Sequence, residues 1–458
     1  MNLPADFIER TQSLLGKEWL DFRDALEQHA PVSIRTHRET ISKSENIVPW
    51  CESGLYLDRR PSFTFDPLFH AGQYYVQEAS SMFISQIIKQ YADTNIRVLD
   101  LCAAPGGKST LIADLLDEDS LLVSNEVIRS RANILSENIM KWGKANTIVS
   151  NNDPSQLGKL SGFFDIILVD APCSGEGMFR KDPDSISEWS VANVKLCKER
   201  QQRILADIWP ALKSGGILIY STCTYNLDEN ESNVQWIANE LGADILNVET
   251  QSEWGISPSF VDGVTAYRFF PHRTQGEGFF CAALRKTSEE SEYRSSKKSK
   301  SNKNKKVKED IPPQYKDYLL NKESFTFYPK GNAWNAFPSS LYQDLQAIAA
   351  HINVISEGIC LGEMKGKDLI PDQSLALSDM LNTESFATVE VDWLSAIAYL
   401  RKEALVLDNQ PKGYILLKYK GVPLGFVKNI GNRANNLYPQ EWRIRSSNIP
   451  QEEVSVIV

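Results

Sequence analysis

The 458-residue sequence contains no apolar run approaching the roughly 20 residues that a membrane helix needs. Its start, MNLPADFIERTQ, lacks the charged and apolar regions of a secretory leader. The seven cysteines are an odd number without a CxxC pair, which argues against a disulfide framework or a zinc ribbon and predicts a reducing, cytoplasmic setting. Positive charge is also scarce: 49 Lys and Arg against 59 Asp and Glu leave a net −10, which by itself speaks against nucleic-acid binding. The shortage is uneven. Arg294, Lys297, Lys298, Lys300, Lys303, Lys305, Lys306 and Lys308 form a run of eight basic residues without an acidic one, so the rest of the chain carries −18. Such a run reads first as a solvated linker and second as a track for a phosphate backbone. No internal repeat is evident. What remains is ordinary globular composition, 42% hydrophobic and 24% charged, in a chain long enough for two or three domains.

Periodicity divides the chain. Pro4 to Leu20 and Phe22 to His29 have helical spacing, and Val32 to Arg35 reads as a strand. The aromatics of Phe63 to Tyr75 read as core, and a helix is expected from Ser80 to about Tyr91. Strands are then expected at 97–101, 121–126, 147–149, 164–169 and 216–220. Helices are expected after Lys108 and over 129–140 and 186–213. Two last strands follow at 267–270 and 278–284. This alternation predicts an α/β fold with a mainly parallel, seven-stranded sheet and helices on both faces. Residues 286–310 are too poor in apolar side chains for a core and read as a disordered linker. A second apolar region, 311–458, shows a helix near 340–352 and strands at 414–418 and 424–428. The expected units are therefore 1–60, 61–285, the linker and 311–458.

The most informative stretch is RVLDLCAAPGGKST at 97–110, a strand, a turn of small residues and a helix. Gly107-Lys108-Ser109 suggests a phosphate loop, but that motif needs a glycine where Cys102 stands. The GxGxxG dinucleotide fingerprint is absent. An adenosyl-methionine pocket, where small residues let backbone approach the ligand, and a bland loop both remain open. Elsewhere Glu126, Asp153, Asp170 and Cys223 each follow a different strand, where doubly wound sheets place ligands. Glu126 lies at the distance suited to ribose hydroxyls, and Asp153 could take an adenine amino group. Cys173, in DAPCSGEG, and Cys223, in STCT, sit in loops facing one crevice. A lone cysteine is usually a small buried hydrophobe. Two there fit covalent chemistry, in which a thiolate adds to carbon-6 of cytosine and makes carbon-5 nucleophilic. Asp170 could protonate or hydrogen-bond ring N3.

The blocks CAAPGGK (102–108), NE (125–126), NNDP (151–154), DAPCSGEG (170–177) and STCTYNLDENESNV (221–234) together resemble the RNA 5-methylcytosine methyltransferases, the RsmB, RsmF and NSUN group. LPADFIERTQSLLG near the start and GYILLKYKGVPLGFVKNIGNRANNLYPQEWRIR near the end resemble the RsmF branch, which methylates small-subunit (16S) ribosomal RNA. The resemblance implies a class I, Rossmann-like methyltransferase that uses S-adenosylmethionine, preceded by a small RNA-binding extension and followed by a PUA-like module. It implies Cys223 as nucleophile, Cys173 as an aid to product release, Asp170 at N3 and Lys108 beside it. Cys102, Ala103, Ala104, Pro105, Gly106, Gly107 and Lys108 would line the cofactor pocket with Glu126, Asp153 and Asp170. Lys428, Arg433 and Arg443, with Trp442, would contact RNA, or else form a solvated rim with a core tryptophan. No metal and no membrane partner is expected, and the chain is expected to act as a monomer. The alternatives are a transfer RNA target, a DNA-type enzyme with Cys173 as nucleophile, and a non-catalytic ribosome assembly factor.

Overall fold

The computed structural model describes residues 1–37, 46–288 and 311–457. Two helices open the chain, Ala5–Leu15 and Trp19–Leu26, because Gly16, at φ +56°, ends the first one before the expected Leu20. An antiparallel sheet follows, built from β1 (Val32–Thr36), β2 (Ile47–Val48), β3 (Cys51–Leu57) and β4 (Tyr74–Val76) in the order β2-β3-β1-β4. The β1–β4 pairing crosses residue 60, so this sheet is closed by a strand beyond the expected 1–60 unit.

The central sheet starts from five apolar runs: β5 (Arg97–Asp100), β6 (Leu121–Asn125), β7 (Thr147–Ser150), β8 (Phe164–Asp170) and β9 (Leu212–Thr222). They lie parallel in the order β7-β6-β5-β8-β9, with Asp100 opposite Leu168 and Asp170 opposite Ser221. The order reverses between β5 and β8, so a crevice opens beyond their carboxyl ends. Helices cover both faces. Ile204, Leu205 and Ile208 of Val191–Ile208 pack on one, and Ile84, Ile87 and Ile88 of Ile84–Tyr91 on the other.

Four strands continue the sheet antiparallel: β10 (Ala243–Leu246), β11 (Ser257–Pro258), β12 (Tyr267–Phe269) and β13 (Phe279–Lys286). The seven expected strands are all present, but the sheet has ten. Two of the extra strands, β10 and β11, are too short to show periodicity. The expected helix over 186–213 is also broken. It runs Asp184–Glu188, stops at Trp189, and restarts at Val191 with the Ser190 side chain capping Asn193 N; by Leu212 the chain is already strand.

The region beyond 310 supplies β14 (Phe325–Lys330), β15 (Ala333–Pro338), β16 (Val354–Glu357), β17 (Ile359–Lys365) and β18 (Asp368–Pro371), then β19 (Ala387–Glu390), β20 (Gly413–Tyr419), β21 (Val422–Asn429) and β22 (Ala434–Asn436). Here β16 leaves its neighbours to pair with β7 as the tenth strand of the central sheet, so 311–458 is not separate from the core before it. The last sheet, β19-β20-β21-β22, shares one hydrophobic core with the N-terminal sheet. Trp393, Ile397 and Leu400 meet Ile34, Phe65 and Leu68, and Trp393 Nε1 donates to Phe65 O at 2.9 Å. The basic run 294–308 lies outside the described residues.

Candidate active site

The loop after β5 is held on all sides by hydrogen bonds to its backbone. Ala103 N donates to Asn125 O at 2.8 Å, Arg131 Nη2 to Ala104 O at 2.8 Å and Asn138 Nδ2 to Pro105 O at 2.8 Å. Gly106 stands at φ +119°, a left-handed conformation that side chains resist, and starts the helix Gly107–Leu115. A Cβ on Gly107 would come within 3.2 Å of the Tyr75 ring and would crowd this cradle. The cradle borders a cavity of about 1500 Å³ that Asp100, Lys108, Asp170, Cys223 and Phe279 also line.

Asp100 was not singled out in the sequence, where it reads as part of the strand. It is fully buried; Ser109 Oγ donates to its Oδ2 at 2.6 Å, while Oδ1 has no partner. Burial pushes this acid up to about 7. An unpartnered buried carboxyl oxygen beside an open glycine cradle suits a ligand with an ammonium group. Cys102, in the same loop, is an inert wall: burial pushes its thiol up.

The other expected ligand residues divide. Glu126 is buried at the end of β6, with Ile128 N donating to Oε1 at 2.9 Å and Arg131 Nη1 3.4 Å from Oε2. Val127 and Ile128 beside it are exposed apolar residues, about half accessible, and offer a flat contact for a ring. Asp153 is exposed and caps the short helix Pro154–Leu157. Ser155 Oγ and N both bond its Oδ1, and these bonds hold its carboxyl below the usual range. Neither Glu126 nor Asp153 borders the cavity that holds Cys223.

Cys173 Sγ and Cys223 Sγ lie 3.2 Å apart. The hydrogen bond to the Cys223 sulfur, aided by burial, pushes the Cys173 thiol well up. On the adjoining wall Lys108 Nζ donates to Asp170 Oδ2 at 2.8 Å and Ser221 Oγ to Asp170 Oδ1 at 2.8 Å. Burial works against the Lys108 charge, but Asp170 outweighs it and holds the ammonium above its ordinary value. All four residues expected to do chemistry thus meet at the ends of β5, β8 and β9.

Comparison with known proteins decides the family. Residues 88–285 match the 16S rRNA methyltransferase RsmB/F family, 3–79 the N-terminal domain of 16S rRNA methyltransferase RsmF, and 386–444 the methyltransferase RsmF PUA domain. Ribosomal RNA small subunit methyltransferase F of Vibrio cholerae is 30% identical over 98% of this chain and 99% of its own length. The Enterobacter protein of the same name is 31% identical over 86% of this chain and 83% of its own. This chain belongs to the ribosomal RNA small subunit methyltransferase F family. A methyltransferase homolog protein from Pyrococcus horikoshii is 30% identical, with a TM-score of 0.52 over 61% of this chain and 93% of that one. The mixed α/β architecture with its N-terminal and PUA units is thus that of the family. No helix among the described residues is long and apolar enough to cross a membrane, and none of their His, Cys, Asp and Glu side chains group into a metal site.

The family's DENES segment holds a scaffold that sequence reading passed over. Glu229 is buried and accepts from Ser174 N at 3.0 Å, Gln201 Nε2 at 2.8 Å and Asn226 Nδ2 at 2.8 Å. Glu176 accepts from Tyr225 N at 2.8 Å, Asn226 N at 2.9 Å and Trp189 Nε1 at 2.9 Å. These two carboxyl groups cross between the Cys173 and Cys223 loops and hold the sulfurs in register. In a string of acids and asparagines such residues look solvent-exposed; only their acceptor geometry reveals them.

The expected RNA contacts lie apart from this cavity. Lys428 is on β21 with Nζ 5.0 Å from the Tyr414 ring centroid, while Arg433 and Arg443 are exposed. Trp442 is half-buried, against Tyr438 and under Lys141 Nζ at 5.3 Å.

Proposed function

We propose that this chain transfers a methyl group to carbon-5 of a cytosine in small-subunit ribosomal RNA, through a covalent bond between Cys223 and carbon-6. The observation that carries this is the sulfur pair at 3.2 Å beside the Lys108–Asp170 ion pair, at the mouth of the glycine cradle. The 102–108 loop would hold S-adenosylmethionine, with Asp100 at its ammonium and Glu126 at its ribose, and the cofactor would supply the electrophilic methyl group. Asp153 would take the adenine amino group at the far end of the cofactor, outside the cavity that holds Cys223.

The target base must leave its stack, because stacking hides both carbons. Cys223 Sγ bonds to C6, and negative charge moves toward N3 and C5. Asp170 meets N3 and passes on a proton from the Lys108 ammonium, which neutralises the charge that builds there. Cys173, with its sulfur 3.2 Å from that of Cys223, donates its S–H to the Cys223 sulfur as that sulfur departs. Water entering the cavity takes the C5 proton, the C5–H electron pair re-forms the C5–C6 double bond, and the Cys223 sulfur leaves C6 as a thiolate, which frees the enzyme. The C-terminal PUA unit, with Lys428, Arg433 and Arg443, would bind RNA outside the catalytic cavity, and the setting would be the cytoplasm.

Incubation of the protein with 16S ribosomal RNA and methyl-labelled cofactor, followed by nucleoside mass spectrometry, tests this. 5-Methylcytidine in that RNA is expected. Label in another base, in transfer RNA alone or in no RNA would overturn it.

A further inference from the structure

The catalytic cavity is larger than a single small molecule requires. A site for one small molecule occupies roughly 300–1,000 Å³, whereas this cavity is about 1500 Å³. It also continues past Gln28, His29, Ala30 and Arg180, which it shares with a second cavity of about 990 Å³. This is the form of a cleft for a polymer.

The same walls carry five cations and five carboxylates, and most of these charges are paired. A chain with a net charge of −10 repels phosphates at long range, so a nucleic acid is held only where cations are free of carboxylate partners. Three exposed cations stand on the cavity wall from two separate parts of the fold. Arg59 and Arg60 lie in the loop after β3, and Lys181 lies in the loop after the Cys173 block. Among the described residues neither Arg59 nor Arg60 has a carboxylate partner; Arg60 lies 5.6 Å over the Phe63 ring. Lys181 Nζ is 4.0 Å from Glu277, whose oxygens are already taken by Arg180 at 3.1 Å and 3.2 Å. Arg180 in turn donates to Ala25 O and Gly276 O, so it anchors the wall and has no fork left for a ligand. Arg59, Arg60 and Lys181 are the cations left over.

We propose that Arg59, Arg60 and Lys181 hold the backbone phosphates of the single-stranded RNA segment that carries the target cytosine. Resting on the RNA reading above, this adds a cleft distinct from the surface of Lys428, Arg433 and Arg443. The occupant is a single strand, which offers Cys223 an unstacked base at the lowest cost. The three cations meet phosphate, so they fix the strand's path and carry no sequence information. The target sequence would be read elsewhere.

The test uses the full chain with R59Q, R60Q and K181Q combined. Binding of a fluorescein-labelled oligocytidine 12-mer is measured against salt, with KM for 16S ribosomal RNA and affinity for S-adenosylmethionine. The side chains are exposed, so the melting temperature should match the wild type. At about 0.1 M salt the variant should bind RNA about tenfold or more weakly, and its salt slope should fall by about 2, near 0.7 for each single-strand phosphate that the protein no longer neutralises. KM for RNA should rise in parallel and cofactor affinity should hold. Unchanged RNA binding and slope would overturn the proposal. So would an equal loss of cofactor affinity, which would move these cations to the methyl donor. A wild-type protein that neither binds nor methylates any RNA would instead bring down the underlying reading, and the proposal with it.

Discussion

Burial leaves Asp100 Oδ1 without a partner and holds the acid near 7, far from the acidic range where aspartates usually titrate. The sign of the resulting pH effect follows directly. Below about 7 the folded protein keeps a proton on Asp100 that the unfolded chain loses near 4, so this residue costs stability increasingly as pH rises from about 4 through 7. Ligand binding has the opposite slope, because an ammonium group favours the ionised carboxylate. Calorimetric titration with S-adenosylmethionine should therefore show affinity rising between pH 6 and pH 8, by about tenfold at most for one proton linked across this interval. In Asp100→Asn the affinity should be lower and flat with pH. A wild type with no pH dependence would remove Asp100 from the ammonium site. The cysteines were legible in the sequence because each block is short and self-contained. Asp100 was not, because an acid within a buried strand resembles a strand terminus until its surroundings are seen.

At the scale of elements, one side chain ties the N-terminal sheet to the cofactor loop. Arg35, on β1, is fully buried. It donates to Gln77 Oε1 at 2.9 Å, Asp114 Oδ2 at 2.7 Å and Thr110 Oγ1 at 2.6 Å, and its guanidinium lies 4.4 Å from the Trp142 ring centroid. Thr110 and Asp114 belong to the helix Gly107–Leu115, which also carries Lys108 and Ser109, the partners of Asp170 and Asp100. Lysine in place of Arg35 keeps the charge and loses the fork. Arg35→Lys should stay folded, bind S-adenosylmethionine several-fold more weakly and bind oligocytidine as before. Unchanged cofactor affinity with a lowered melting temperature would make Arg35 purely structural. The helix and strand pattern was largely readable from periodicity. The exceptions are local: a capping serine at 190 divides one expected helix, and Gly16 shortens another.

At the scale of the whole molecule, the two ends of the chain form a single core. Ile34, Phe65, Leu68 and Tyr74 from the N-terminal part pack with Trp393, Ile397, Tyr399 and Leu400, and Val456 N donates to Asp66 Oδ2 at 3.0 Å. Trp393→Ala should cost about 3–5 kcal/mol. Hydrogen exchange should then rise in β1, β3 and β4 as well as in β19 to β22; a rise confined to the last four strands would show that the two sheets fold independently. None of this joining was visible in the sequence. Pairing of β16 with β7 and contact of residue 393 with residue 65 span hundreds of residues, and no periodicity or turn signal reports such distant partners.

The most direct measurement is a denaturing gel of the protein incubated with labelled 16S ribosomal RNA and S-adenosylmethionine, comparing wild type, Cys173→Ala and Cys223→Ala. Cys173→Ala should accumulate a slow-migrating protein–RNA adduct, because the departing sulfur loses its hydrogen-bond donor, and Cys223→Ala should form none. An adduct that depends on Cys173, or no adduct with any of the three, would contradict Cys223 as the nucleophile.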